Sequence, residues 1–284
     1  MRGDLESKIE KAAGARPVRF AAMGGGCIAD VKRVDLADGR ELVAKLGGQG
    51  SGLGLEGIML AYLAEHSRLP VPEVLHADDE LLLMTCLEAG GGLGAQVQVD
   101  AAELVAGLHG VHAEKFGFER DTVIGGLSQP NPWTTGWLEF FRDHRLLYMG
   151  GQARESGRLP GKTLDRLETL AGRLERWIDG GCKPSLIHGD MWTGNVLSDG
   201  RKITGFVDPA VYYADPEIEL AFTTLFGTFG DAFFSRYNEI RPIKPGFFEA
   251  RRDLYNLYPL LVHVRLFGGH YVGSVERSLS QFGV

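Results

Sequence analysis

The hydrophobic pattern of this chain changes its period at one glycine-rich segment. Before residue 90 the apolar residues fall in short strand-like runs, and an Asp38-Gly39 pair between two of them predicts a hairpin. One helix, over residues 56–66, interrupts these runs. Beyond the glycines of residues 90–94, apolar residues recur at helical spacing over long segments. This order predicts an α+β protein with two lobes, a small β-rich lobe and a larger helical one.

The same glycines indicate where one lobe gives way to the other. We expect an N-terminal lobe over residues 1–89, a hinge near residues 84–89, and a helical C-terminal lobe over residues 90–284. The segments that predict helices in the second lobe are 101–113, 135–150, 164–178, 218–227 and 251–268. A cleft between two such lobes is a common place for a small-molecule site.

Composition excludes several classes of partner. The 284 residues carry 30 basic and 37 acidic side chains, a net charge of -7, which argues against duplex nucleic acid and anionic membranes as partners. Neither a signal-like N-terminus nor an apolar run of about 18 residues is present, so we predict a cytoplasmic protein. The three cysteines, Cys27, Cys86 and Cys182, lack the spacing of a zinc site or a disulfide framework.

A polar loop between two apolar runs carries the candidate chemistry. In "LIHGDMWTGNVL", residues 186–197, Asp190 precedes Asn195 by five positions, and Asp208 follows Asn195 by thirteen after the run "ITGFV". Two strands joined by a turn would bring both acids and the amide to one end of a hairpin. Such oxygen ligands suit Mg²⁺, and the spacing matches the catalytic loop and metal-binding aspartate of kinases.

The first lobe supplies candidate nucleotide-binding residues. The glycine turn Gly24, Gly25 and Gly26 would let backbone N–H groups approach phosphates, although a triple glycine alone is more typical of a flexible hairpin tip. Lys45 lies in the apolar run "ELVAKL" and needs an acidic partner, for which Glu56 is the candidate. Residues 84–87, including Met84 and Cys86, would offer backbone groups to adenine.

The sequence resembles the fructosamine kinase (ketosamine 3-kinase) family, whose members have a two-lobed protein-kinase-like fold of the aminoglycoside phosphotransferase type. The segments that carry the resemblance extend over most of the chain: "GGGCI", "VPEVL", "LIHGDMWTGNV", "DPAVYYADPEIELAFTTLFG" and "HVRLFGGHY". It implies transfer of the ATP γ-phosphoryl group to the 3-hydroxyl of a ketosamine, either a small molecule or glycated lysine, followed by deglycation.

The resemblance also implies roles for individual residues. Asp190 would be the catalytic base, Asn195 and Asp208 the Mg²⁺ ligands, and Lys45 the phosphate ligand braced by Glu56. Trp192 would stack on the sugar. The last helix departs from the family's usual "NHLNLFG", because Val262 and Arg265 replace two amides, and Pro259 is expected to interrupt it.

Several alternatives stay open at this level. His263 is either a core histidine or a substrate neighbour, and Trp192 could instead fill space in the lobe. Asp215 and Glu219 are expected to hold the segment around Asp208. The chain could also be another small-molecule kinase, acting on an aminoglycoside, choline or other alcohol, or a pseudokinase scaffold; the presence of every catalytic position argues against the scaffold.

Overall fold

A five-stranded antiparallel sheet forms the first lobe of the computed structural model, which describes residues 2–24 and 30–284. Its strands are β1 (Pro17–Ala22), β2 (Asp30–Leu36), β3 (Glu41–Leu46), β4 (Val74–Ala77) and β5 (Leu81–Thr85). The spatial order β1-β2-β3-β5-β4 places β3 and β5 inside the sheet. The predicted hairpin is confirmed, because β2 and β3 pair across the Asp38-Gly39 turn with Gly39 at φ 87°.

Two helices cover the faces of this sheet. Helix α1 (Arg2–Ala13) packs Ile9 against one face, and α2 (Leu53–His66) packs Leu60 against the other. Because strand side chains alternate between faces, β5 contributes to both clusters, with Leu83 facing α1 and Leu82 facing α2. The sequence analysis did not predict α1, although Leu5, Ile9 and Ala13 recur at helical spacing.

The second lobe is mainly helical, as predicted. Its helices are α3 (Ala95–Leu108), α4 (Trp137–Phe141), α5 (Tyr148–Glu155), α6 (Gly161–Ala171), α7 (Pro216–Leu225), α8 (Asp231–Ile240), α9 (Arg252–Tyr255), α10 (Leu257–Phe267) and α11 (His270–Gln281). Residues 142–147 and 247–251 are π-helical. Three antiparallel ribbons complete it: β6 (Thr122–Ile124) with β7 (Leu127–Gln129), β8 (Ser185–Ile187) with β11 (Tyr212–Ala214), and β9 (Val196–Ser198) with β10 (Ile203–Phe206).

Two predicted helices are shorter than their apolar periodicity indicates. The helix expected over residues 164–178 ends at Ala171, next to Gly172, and a 3₁₀ turn follows at residues 174–176. The last predicted helix divides at Asn256 into α9 and α10. The predicted interruption is present, because Pro259 has no N–H to donate to the carbonyl of Tyr255, four residues earlier, and α9 ends at Tyr255.

The lobes meet through one continuous core. Met59 and Leu63 of α2 belong to the same buried cluster as the helical lobe, which fixes α2 against it. Strand β5 ends at Thr85 and α3 begins at Ala95, so residues 84 and 85 of the predicted hinge belong to the strand and residues 86–89 to the connection; the hinge and the boundary at residue 89 stay predictions. None of the helices in the described part of the chain combines the length and apolar character needed to cross a membrane.

Candidate active site

The β8–β11 and β9–β10 ribbons bring the three predicted polar residues together. The loop of residues 188–195 leaves β8 and enters β9, and Asp208 follows β10, whose Phe206 pairs with Val196. Asn195 donates its Nδ2 to Asp190 Oδ2 at 3.0 Å and to the Asp190 carbonyl at 2.9 Å. The predicted hairpin and the convergence of Asp190 with Asn195 are therefore present, while their chemical roles stay a prediction.

A glycine and a buried acid shape the loop before Asp190. Gly189 has φ +87°, and a Cβ there would lie 2.1 Å from the Ala210 carbonyl oxygen, so a side chain does not fit. The Gly189 N–H donates to Glu219 Oε1 at 2.7 Å. His188 is fully buried, and its carbonyl accepts from Ala210 N at 2.7 Å. Glu219 thus holds the loop of Asp190 and not, as predicted, the segment of Asp208.

Asp215 also has a different task from the one predicted. Its carboxylate caps α7 by accepting from Glu217 N at 3.0 Å. It accepts a second hydrogen bond from the Tyr255 hydroxyl at 2.9 Å. Asp215 therefore joins α7 to α9 on the side of the lobe away from Asp208.

Lys45 and its two acids cross the cleft between the lobes. Lys45 Nζ lies 2.7 Å from Glu56 Oε1 and also contacts Asp208 Oδ1. Asp208 has φ 55°, the left-handed region, and no other non-glycine residue in the described ranges has a positive φ. Burial alone would lower the pKa of Lys45, but attraction to Glu56 and Asp208 outweighs it and raises that pKa. The ammonium stays charged, as a phosphate ligand requires.

The carboxyl of Asp190 ionises with difficulty in the free protein. Burial raises the pKa of Asp190 to about 8, the nearby charge of Asp208 adds to the effect, and the hydrogen bond from Asn195 opposes it. A carboxyl whose pKa lies near working pH is suited to accept a proton. Cations bound beside it would lower this pKa and favour the carboxylate.

This perturbed carboxyl predicts a pH-dependent gain in stability for Asp190→Asn. An unfolded aspartate ionises near pH ~3.9, whereas folded Asp190 keeps its proton up to about pH 8. Stability contributed by this group is therefore lost as pH rises through that window. We expect calorimetry to show that the variant's Tm exceeds the parent's by roughly 3 °C or more at pH ~8.5, and by less at pH ~5.

A surface aspartate supplies the control for this measurement. Asp199 lies in the turn between β9 and β10, where the backbone N–H groups of Lys202 and Arg201 lower its pKa. Asp199→Asn should lower the Tm at high pH, because a depressed carboxyl pKa stabilises the fold above that pKa. A Tm difference for Asp190→Asn that does not change with pH would contradict the proposed environment of Asp190.

The nucleotide side of the cleft is described only in part. Gly24 follows β1, while Gly25 and Gly26 lie outside the described residues, as does Cys27. Met84 pairs with Val43 on one side and Val74 on the other, so its backbone groups face neighbouring strands. Cys86 follows the end of β5. The Cys86 N–H donates to the Glu41 carbonyl at 3.4 Å and the Glu88 carbonyl accepts from the Thr204 hydroxyl, so the residues that would bind adenine stay a prediction.

A row of rings borders the other side of Asp190. The Trp192 and Phe226 centroids are 6.2 Å apart, and His263 lies 4.9 Å from both Phe226 and Tyr271. Gly194 must lack a side chain, because a Cβ there would lie 2.5 Å from the Trp192 ring. Sequence reasoning identified Trp192 and His263 and missed Phe226 and Tyr271, which come from the end of α7 and from α11. We call Trp192, Phe226, His263 and Tyr271 the aromatic row.

The orientation of His263 is set by α10 itself. Its Nδ1 donates to the Pro259 carbonyl at 2.7 Å, and burial lowers the pKa of the ring. A neutral ring with its proton on Nδ1 keeps Nε2 as an acceptor. Of the two residues that depart from the family pattern, Val262 is buried in the core, whereas Arg265 has a buried Nε with no hydrogen-bond partner among the described residues.

The oxygen donors in the cleft fit a hard divalent cation shared with a nucleotide. No group of three or more His, Cys, Asp or Glu suited to a metal occurs within residues 2–24 and 30–284. Mg²⁺ commonly needs only one or two protein ligands, because substrate phosphates and water complete its shell. Asp208 contacts Lys45 through Oδ1, and Asn195 donates through Nδ2, which leaves Asp208 Oδ2 and Asn195 Oδ1 as donors.

Comparison with known proteins agrees with this geometry. The fructosamine kinase family model matches residues 5–282. A Synechocystis sp. protein named probable ketoamine kinase is 36% identical over 239 residues, covering 82% of this chain and 77% of the relative. The chloroplastic protein-ribulosamine 3-kinase of Arabidopsis thaliana is 31% identical over 278 residues, covering 93% of this chain and 82% of the relative.

Solved structures extend the agreement to the fold. A structure described as a fructosamine-3-kinase from Thermobifida fusca superposes with a TM-score of 0.88 at 29% identity, covering 98% of this chain and 97% of that one. A thermostable mutant of the aminoglycoside phosphotransferase APH(4)-Ia superposes with a TM-score of 0.67 at 17% identity, covering 98% of this chain and 99% of that one, and shows the kinase-like fold alone. The predicted fold class is confirmed. The family model matches nearly the whole chain, and Lys45 and Asp208 meet in the cleft between the lobes. This chain therefore belongs to the fructosamine kinase family of ATP-dependent phosphotransferases.

Proposed function

We propose that this protein transfers the γ-phosphoryl group of ATP to the 3-hydroxyl of ketosamines, the adducts of a sugar with an amine. The observation that carries the proposal is the position of the Asp190 loop, between the Lys45–Asp208 pair on one side and the aromatic row on the other. Nucleotide phosphates would bind on the first side and a sugar on the second. The relatives named ketoamine and ribulosamine kinases support this choice over an aminoglycoside or choline acceptor.

Each polar residue has a defined task in this scheme. Asp190 holds the 3-hydroxyl and accepts its proton as the phosphoryl group moves from ATP to O3, leaving ADP. Lys45, oriented by Glu56, binds phosphate oxygens. Asn195 and Asp208 would hold Mg²⁺, which neutralises phosphate charge when bound. The protein thus contributes mainly positioning and charge neutralisation.

The product is expected to release its amine. In a ketosamine 3-phosphate the proton on C1 is acidic, because C1 carries nitrogen and adjoins the C2 carbonyl. Loss of that proton forms a C1–C2 enaminol, which expels phosphate from C3 and leaves an imine. Water then hydrolyses the imine to free amine and a 3-deoxy dicarbonyl sugar. Phosphorylation would therefore return glycated lysine, free or in a protein, to lysine.

Mass spectrometry tests this proposal directly. Fructosamine and ribulosamine adducts of lysine, incubated with the enzyme and MgATP, should gain one phosphate and then yield free lysine faster than the adduct alone. Omitting Mg²⁺ should stop both steps. The matched acceptor is a plain amino alcohol, which lacks the C2 carbonyl and should be neither phosphorylated nor cleaved.

Two results would contradict the proposal. Phosphorylation of the amino alcohol with none of either ketosamine would indicate a general small-molecule kinase. A phosphorylated ketosamine that accumulates without amine release would remove the deglycation step and keep the kinase. The cytoplasmic location predicted from the sequence stays a prediction.

A further inference from the structure

A cavity of about 740 Å³ lies in the helical lobe, at the end of the β8–β11 ribbon remote from the catalytic loop. Ser185, at the start of β8, and Asp215, just after β11, line it, whereas Asp190 follows the opposite end of β8. Among the residues that line the cavity, none belongs to the nucleotide, metal or acceptor sites described above. Its volume falls in the range of roughly 300–1,000 Å³ common for small-molecule sites.

Apolar side chains form much of the cavity wall. Ile178 and Leu220, which are buried, lie on the inner side, and the partly buried Trp177 also lines the cavity. Ile240 and Ile243, at and after the end of α8, lie at the outer side, and Ile240 remains 42% exposed. The wall can therefore bury the apolar body of a ligand that enters past Ile240.

Charged side chains also line the cavity, and most of them are paired. The cations are Lys183, Arg241, Lys244 and Arg251, and the carboxylates are Asp179, Asp215 and Glu217. Lys244 lies 2.9 Å from Asp179, and Arg251 donates twice to Glu217, at 2.5 and 2.9 Å. Asp215 already accepts from the α7 backbone and from Tyr255.

Two cations remain without a carboxylate partner. Within the described ranges neither Lys183 nor Arg241 forms an ion pair. This local excess of positive charge occurs in a chain whose net charge is -7. A cavity with an apolar wall and two unpaired cations is complementary to an organic anion.

A buried hydrogen-bond relay connects the cavity with the catalytic loop. Tyr237 and Arg241 both line the cavity, the Arg241 N–H donates to the Tyr237 carbonyl at 2.8 Å, and the Tyr237 hydroxyl is 2.7 Å from His109 Nδ1. His109 Nε2 lies 2.9 Å from Glu219 Oε2, and Glu219 Oε1 accepts from Gly189 N at 2.7 Å. Tyr237, His109 and Glu219 are each at most 2% exposed. A change at the Tyr237 hydroxyl therefore reaches Gly189, the residue before Asp190, through three hydrogen bonds.

We propose that this cavity is a regulatory site for a small organic anion with an apolar body. Its anionic group pairs with Arg241 and Lys183, and its body packs on the Ile240–Ile243 wall. Bound beside Tyr237, the anion displaces the hydroxyl that begins the relay, which loosens the relay at Gly189. Because the relay already holds the loop in the ligand-free state, occupancy lowers catalytic turnover.

Binding can be tested without ATP or a ketosamine, so the result does not depend on the proposed reaction. The probe is anilinonaphthalene sulfonate, an anion on an aromatic body, followed by its fluorescence with the full-length protein. We expect saturable binding that weakens about tenfold or more in the Lys183→Gln Arg241→Gln variant. Arg236→Gln is the matched control on the same helix, because Arg236 pairs with Glu103 and Glu239 on the surface. Equal affinity in the double variant and the parent would overturn the site.

Transmission to the loop is tested by hydrogen exchange and by turnover. Saturating probe should speed amide exchange in the peptide containing Gly189 and lower kcat by about fivefold or more. Tyr237→Phe removes only the hydroxyl, so this variant should still bind the probe while losing its effect on loop exchange. Probe bound in the cavity with unchanged exchange around Gly189 would overturn the regulatory role.

Discussion

Asp190→Asn is expected to lower kcat/KM for the acceptor by about 10²–10⁴-fold, the range for loss of a general base. The asparagine side chain has nearly the same shape and can still accept from Asn195, which donates to Asp190 Oδ2 at 3.0 Å. It cannot take a proton from the acceptor hydroxyl. Steady-state kinetics with MgATP and a ketosamine measure the loss, and nucleotide affinity should stay close to that of the parent.

The control for this variant is Asp199→Asn, at the other end of the β9–β10 hairpin. That carboxylate accepts backbone N–H groups in a turn and has no access to the acceptor. Near-parental turnover in Asp190→Asn would remove Asp190 from the mechanism. Equal losses in both variants would point to damage of the hairpin and not to a missing base.

Lys45→Met is expected to weaken MgATP use by about 10²-fold or more, since one buried cation serves both Glu56 and the phosphates. Lys45 is 6% exposed and contacts carboxylates from both lobes. Without it, Glu56 and Asp208 face each other with no cation between them. Asp208→Ala should impair MgATP use for a different reason, because it removes a proposed metal ligand and leaves the Lys45–Glu56 pair.

Titration of ATP and of Mg²⁺ separates these two variants. Lys45→Met should raise the KM for ATP at every Mg²⁺ concentration, whereas high Mg²⁺ should partly restore Asp208→Ala. Lys32→Met is the control, because Lys32 lies on the adjacent strand and pairs with Asp30 at the surface. Parental turnover in Asp208→Ala would show that the metal is bound elsewhere.

The parts of the site that could be predicted are those built from neighbouring residues. The His188–Asn195 loop and Asp208 belong to one hairpin, so strand pairing over about a dozen residues is enough to bring them together. Lys45 and Glu56 are 11 positions apart, on a strand and the helix that follows it. Turn chemistry and apolar periodicity depend on residues about a dozen positions apart or fewer. The two lobes and most strands could therefore be predicted from the sequence.

Packing over longer distances could not be predicted in the same way. Periodicity continues past Gly172 and Asn256, whereas the helices end at Ala171 and Tyr255. Glu219 serves Gly189, 30 positions away, and His109, 110 positions away. Which of several nearby loops a buried acid will hold depends on where the whole helix lies.

The same reason separates the two faces of the helical lobe. Trp192 could be identified from its place beside Asp190 in the sequence. Phe226 and Tyr271 join it only because the end of α7 comes close to α10 and α10 packs against α11. The cavity near Arg241 has no local signal in the sequence, because its lining residues come from segments as far apart as His112 and Arg251. Short-range spacing therefore specifies the catalytic hairpin. The aromatic row and the cavity form only when the helices pack against one another through their buried apolar faces.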